Sequence, residues 1–153
     1  MQLHLEPVSE MNREHFVKMH LAKGQEGFVE SVEECLSEAD GRSDWRPVGI
    51  FDGNIPVGFA MYGYFHEYKP HGRVWMDRLL IDENKQNKGY GTEALKMLLH
   101  RIKEEYQCQE VYLSVIKQNH VATKMYQKFG FEFVGEKDIH GEDVMKIRLT
   151  DEE

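Results

Sequence analysis

The sequence predicts an α/β (α+β) fold, a central mixed but mostly antiparallel sheet flanked by helices. Three observations carry that expectation. Asp52-Gly53-Asn54 lies between two apolar runs, 47–51 and 55–62, a strong hairpin signal. Leu95, Leu98, Leu99, Ile102 and Tyr106 repeat on one face of a helix over 91–106. Strand-patterned and helix-patterned segments then follow one another in the order β-α-α-β-β-β-α-β-α-β-β, without repeats or linkers, which suits helices covering one sheet.

Each element has its own warrant. Leu3, Leu5 and Val8 make residues 2–8 a short strand. Asn12-Arg13-Glu14 opens a helix to about Leu21, with Phe16, Met19 and His20 at helical spacing. Residues 26–39 read as a second amphipathic helix, striped by Val29, Val32, Leu36 and Ala39. Residues 41–45 form a polar loop before the hairpin, and 63–72 an aromatic loop after it. A strand covers 73–81 and another 110–115, where Val111, Leu113 and Val115 alternate. Asn119 opens a helix that Gly130 ends in the usual left-handed position. A hairpin of 131–137 and 144–149 closes the chain.

Bulk properties bound the function. The 153 residues fit one domain spanning 1–153. No apolar run approaches the roughly 18 residues of a membrane helix. The first residues, Met1-Gln2-Leu3-His4, carry no secretory pattern, so a cytoplasmic protein without membrane attachment is expected. Cys35 and Cys108 are too far apart for a metal or disulfide spacing, and the histidines show no ligand pattern, so no metal is expected. A formal charge of −8 repels phosphate backbones, which argues against nucleic acid as a partner.

The sharpest chemical signal follows the 73–81 strand. Gln86-Asn87-Lys88-Gly89-Tyr90-Gly91-Thr92 joins a strand end to a helix start, where several backbone N–H groups and the positive end of a helix dipole converge. Side chains at Gly89 and Gly91 would hold a phosphate off that backbone. A dinucleotide fold would need Gly-x-Gly-x-x-Gly, and a P-loop would need Gly-Lys-Ser/Thr; neither is present. Gln86-x-x-Gly89-x-Gly91 resembles the acyl-CoA signature of the GCN5-related N-acetyltransferase (GNAT) family. Asn119-x-x-Ala122-x-x-x-Tyr126-x-x-x-Gly130-Phe131 is similar to that family's second block, and the element order resembles the GNAT fold.

The resemblance implies acetyl-CoA as cosubstrate. It implies that Gln86, Asn87, Lys88, Gly89, Tyr90, Gly91 and Thr92 hold the pyrophosphate, and that Leu79, Leu80 and Ile81 pair with the pantetheine arm. Asn119 is then a cofactor contact as well as a helix cap. Tyr126 matches the tyrosine that gives its proton to the departing CoA sulfur. Asp77 matches an acidic residue that holds the amine or a proton-carrying water; on its residues alone it could equally pair with Arg73 or Arg78.

Segments outside the cofactor blocks, among them 58–63, 72–78 and Val29-Glu30-Ser31, resemble bacterial spermine/spermidine N-acetyltransferases. An acceptor groove is therefore expected from Glu26, Glu30, Glu33, Glu34 and Glu67 with Phe28, Tyr62, Tyr64, Phe65, Tyr68 and Trp75. Glu30 is the leading amine partner and Glu67 the second, with Trp75 and Asp77 beside them. Carboxylates and aromatic faces along a groove suit a small polycationic amine. Without a cysteine in a motif, direct attack in a ternary complex is expected. An aminoglycoside, an arylalkylamine or a protein N-terminus is the alternative acceptor, and a non-catalytic acyl-CoA sensor the alternative class. Relatives lead to the expectation of a homodimer.

Overall fold

The computed structural model describes residues 2–19, 31–68, 70–86, 88–116 and 118–149. Along them run β1 (Leu3–Pro7), α1 (Arg13–Val17), α2 (Val32–Gly41), β2 (Trp45–Asp52), β3 (Ile55–Phe65) and β4 (Arg73–Ile81). A 3-10 turn (Glu83–Lys85) follows, then α3 (Tyr90–Tyr106), β5 (Glu110–Val115), α4 (His120–Phe129), β6 (Glu132–Lys137) and β7 (Asp143–Arg148). The strands form one sheet in the order β1-β2-β3-β4-β5-β7-β6. Every pairing is antiparallel except β4 with β5, which α3 joins by a crossover.

Strand alternation sends side chains to two cores. Ile50, Val57, Tyr62, Val74, Met76, Val111 and Leu113 face α3 and α4, packing against Leu95, Leu98, Ile102 and Tyr126. Phe51, Phe59, Met61 and Leu80 face the other way, onto Phe16 of α1 and Val32, Cys35 and Leu36 of α2. Gly49 is required by that second core, because a Cβ there would stand 2.1 Å from the Phe16 ring. No helix among the described residues is long and apolar enough to cross a membrane.

Four boundaries differ from the sequence expectation. The second helix begins at Val32 rather than 26, because Ser31 and Glu34 form a reciprocal capping box that fixes the N-terminus there. The expected loop over 63–72 gives three residues to β3, which continues to Phe65 against Arg73. Trp45 is the first residue of β2, with Gly63 as its partner, rather than loop. The first helix ends at Val17, with Lys18 as C-cap, short of the expected Leu21.

Candidate active site

β4 carries the feature on which the site depends. Its register with β3 shifts between Met61, opposite Arg78, and Tyr62, opposite Met76, so Asp77 is an extra residue in a bulge. The bulge changes the phase of the strand. Met76 faces the α3 core before it, and Leu79 and Ile81 face the same core after it. On its other edge β4 meets β5 in register only at Trp75 and Tyr112. The next six residues of β4, 76–81, extend past that pair without a register partner on β5. At about 3.3 Å per residue this leaves a slot on the order of 20 Å long. Parallel strands that part this way expose β4 backbone donors and acceptors to a ligand arriving edge-on.

The slot ends at the phosphate-cradling loop. Gln86 Nε2 donates to the Ile81 carbonyl at 2.9 Å, tying the loop to the end of β4. Gly89 adopts φ 82°, a left-handed conformation that favours glycine, and is the N-cap of α3 with no side chain to cap it. The first-turn N–H groups of this 17-residue helix therefore point outward without a side-chain cap. Tyr90 turns its hydroxyl to Asp52 Oδ2 at 2.7 Å, so its offer to a phosphate is its backbone N–H. Gly91 is informative for a different reason: a Cβ there would meet only Met125 Sδ at 3.6 Å and Ile81 Cγ1 at 3.9 Å, ordinary contacts. None of the described residues requires glycine at that position. A cavity of about 640 Å³ lies beside this loop, walled by Gln2, Leu3, Gly89, Thr92, Glu93 and Met97. Lys88 is exposed on the loop, and Asn87 lies outside the described residues.

Asn119 is the N-cap of α4, its Oδ1 accepting from Ala122 N at 3.3 Å. The structural role is thus realised, and the amide Nδ2 is not part of the cap. Gly130, at φ 112°, ends α4 as its left-handed cap, and Phe131 N donates to the Tyr126 carbonyl at 3.0 Å. This bond anchors the Tyr126 backbone, and the Tyr126 ring lies buried 5.5 Å from that of Phe131. Burial pushes its phenol up to about 12, and the positive charge of Arg78 pulls in the opposite direction. A phenol held in its neutral form by burial keeps its O–H as a hydrogen-bond donor.

Arg78 Nη1 donates to Asp77 Oδ1 at 2.7 Å and to the Asp77 carbonyl at 2.9 Å. Of the two arginines beside Asp77 in sequence, it is Arg78 that pairs with it. The carboxylate keeps 22% exposure, so it still meets solvent or substrate. Arg78 also helps to lower Glu34, chiefly held down by its bonds to Ser31, on the opposite side of the sheet from Tyr126. Asp77 and Arg78 form a pair at the bulge, and the Arg78 charge reaches Tyr126.

The expected acceptor groove is only partly assembled. Tyr62 points into the α3 core and donates to Glu105 at 2.7 Å, and Phe65 is buried beside Trp45, so neither lines a groove. Glu67 is held by Arg42 Nη2 at 2.8 Å, which keeps its carboxyl below the usual range. Tyr64 donates to the His71 carbonyl. Tyr68 and Trp75 do come together, with centroids 5.7 Å apart, and the buried Trp75 Nε1 has no hydrogen-bond partner among the described residues. Glu26, Phe28 and Glu30 lie outside the described residues. Arg73, weighed in the sequence only as a partner of Asp77, instead lies over the Trp75 and Tyr112 rings and pairs with Glu136; the sequence reading passed over Tyr112 and Glu136, for which it held no local signal. No group of three or more His, Cys, Asp or Glu able to hold a metal occurs among the described residues.

A split parallel pair, a bulge beside its closed end and an uncapped helix beyond its open end form the architecture of an acyl-CoA-binding transferase. The description acetyltransferase (GNAT) family matches residues 9–131. A spermine/spermidine N(1)-acetyltransferase of Bacillus subtilis (strain 168) is 41% identical over 152 residues, 97% of this chain and 100% of that protein. Among solved structures, an aminoglycoside acetyltransferase in complex with coenzyme A aligns with TM-score 0.79 at 17% identity, over 96% of this chain and 95% of that one. The PaiA N-acetyltransferase of Thermoplasma acidophilum, in complex with coenzyme A, aligns with TM-score 0.71 at 18% identity, over 97% and 100%. The chain belongs to the acetyltransferase (GNAT) family.

Proposed function

We propose that this protein transfers the acetyl group of acetyl-CoA to a primary amine of spermine or spermidine, by direct attack in a ternary complex. The observation that carries the acceptor is the likeness, over nearly the full length of both chains, to the Bacillus spermine/spermidine N(1)-acetyltransferase. The local geometry supports the same reading: Asp77, part-exposed, stands two residues past the pair that closes the β4–β5 split, where its carboxylate can meet an amine.

The first-turn amides from Gln86 to Thr92 receive the pyrophosphate, and the β4 edge at Leu79, Leu80 and Ile81 pairs with the pantetheine arm. The bound thioester supplies an activated acetyl carbonyl. Asp77 holds the ammonium of the acceptor and passes one proton to water, because only the neutral amine has a lone pair to attack with. As the C–N bond forms and the C–S bond breaks, Tyr126 donates a hydrogen bond to sulfur; the nitrogen then loses its second proton to water, and the thiolate takes up one proton to leave as the CoA thiol. Asn119 steadies the cofactor from the start of α4. Glu30 and Trp75 contact the remainder of the polyamine, with Glu67 a lesser partner because Arg42 already occupies it. A single domain, a cytoplasmic setting, a homodimer and the absence of nucleic-acid and membrane partners complete the proposal.

Initial rates with both substrates varied test it. Intersecting double-reciprocal lines and a product carrying one acetyl group on a polyamine nitrogen are expected. Parallel lines, which signal an acetyl-enzyme, would overturn direct attack.

A further inference from the structure

At the closed end of the β4–β5 split a cation is already bound, and it belongs to the chain. The Arg73 guanidinium carbon lies 4.2 Å from the Tyr112 ring centroid, 5.1 Å from Tyr68 and 5.9 Å from Trp75. Its two terminal nitrogens donate to Glu136 at 2.6 and 3.0 Å. Three aromatic faces and a carboxylate are the recognition elements of an alkylammonium. Two of the rings, Trp75 and Tyr112, are the register pair from which the strands part. Asp77 follows Trp75 by two residues, about 7 Å along a strand. Nitrogens of a polyamine separated by three or four carbons stand roughly 5–6 Å apart.

The box is open to solvent and deliberately built. Tyr68 is 38% exposed and the Glu136 side chain 43%. Glu136 belongs to a stretch of β6 whose register with β7 breaks between Phe133 and Lys137, with Gly135 at φ 75°. That irregularity lifts the strand out of its ladder and aims Glu136 across the sheet at Arg73. Gly72, at φ 78° against the Tyr64 ring, sets the turn that delivers Arg73 from the other side.

We propose that Tyr68, Trp75, Tyr112 and Glu136 form an ammonium subsite of the acceptor groove that Arg73 fills with its own guanidinium, so that Arg73 limits the length of polyamine accepted. The length role rests on the polyamine reading; the existence of the cation box does not. With Arg73 in place, an acceptor reaching beyond Asp77 meets a fixed positive charge. Without it, a further ammonium of spermine enters the box.

The test uses the full chain with Trp45→Phe, which leaves Trp75 as the sole indole. In R73A, ethylguanidinium is expected to change Trp75 fluorescence saturably, with no such change in the Arg73 parent or in R73A/E136Q. R73A is expected to bind spermine about fivefold or more tightly than the parent, with putrescine affinity changed less than twofold. R73K keeps the parent's spermine-to-putrescine ratio, and Lys137→Gln, a charge lost from the same hairpin, shifts both amines alike. If R73A fails to fold, R73Q carries the same spermine-to-putrescine expectation, because it keeps the stem packed on the rings. A cooperatively folded R73A without a guanidinium signal overturns the box, as does R73Q shifting both amines by one factor. A guanidinium signal in a protein that acetylates no polyamine keeps the box and overturns the length role.

Discussion

Trp75 and Tyr112 meet with ring centroids 5.5 Å apart and planes tilted by 43° across the one register pair that holds β4 to β5. Beyond that pair the strands part, and the β4 backbone has no strand on its β5 side. If pantetheine adds as that missing strand, coenzyme A should slow hydrogen exchange at amides within 77–81 that do not bond to β3. Amides of Val74 and Trp75 should change little. Uniform protection along β4, or none, would mean that the ligand binds elsewhere.

The two loop glycines should separate stability from binding. Gly89 needs its left-handed φ, so Gly89→Ala is expected to cost about 1 kcal/mol of stability in a urea melt. Gly91 has room for a Cβ, so Gly91→Ala should stay within about 1 kcal/mol of the parent while raising the Kd for coenzyme A at least tenfold. A Gly91→Ala protein that is equally stable and binds coenzyme A as well as the parent would remove the loop from the site.

The pH profile follows from the acceptor and from Tyr126. Free primary amines titrate near 10.4, so log kcat/KM should rise with unit slope between about pH 6 and 9. Tyr126, pushed up to about 12 by burial, stays protonated throughout and should add no falling limb there. Tyr126→Phe should lower kcat by about 10- to 100-fold, the worth of a hydrogen bond to a charged group, with the acetyl-CoA KM little changed. A wild-type limb falling below pH 10 that vanishes in Tyr126→Phe would contradict this.

Alkaline stability offers a control remote from the site. Tyr62, pushed up to about 12 by burial and its bond to Glu105, joins Tyr126 in titrating above an unfolded-chain tyrosine near 10. A folded pKa above the unfolded one gives stability that is complete below pH 10 and lost as pH rises through about 12. Urea midpoints should be flat from pH 8 to 10 and then fall. Tyr62→Phe should lower the midpoint at pH 8 and make the later fall shallower.

Much of the fold is legible because its signals are local. Asp52-Gly53-Asn54 gives its hairpin, the Leu95–Tyr106 stripe gives α3, and Asn119 and Gly130 cap α4 at both ends. The capping box at Ser31 and Glu34 was also there to be read, but the apolar stripe, which continues upstream through Val29, drew the helix start too early. The site's geometry is less legible because it depends on register. The bulge at Asp77 shows only as apolar parity passing from 74 and 76 to 79 and 81, blurred by Leu80. Tyr62 lies in a run that is apolar on both faces, so its inward direction had no marker. Arg73 and Glu136 are 63 residues apart and meet only once two strands have been laid between them.

The acceptor is the heart of the account, and a panel of amines tests it most directly. Thiol release from acetyl-CoA is measured with spermine, spermidine, putrescine, an aminoglycoside, an arylalkylamine and a peptide amine. Spermine or spermidine should give the highest kcat/KM, at least tenfold above the aminoglycoside, the arylalkylamine and the peptide. Equal or greater turnover of one of those three would move the acceptor to another class, and tight acetyl-CoA binding with no turnover of any amine would contradict the enzyme itself.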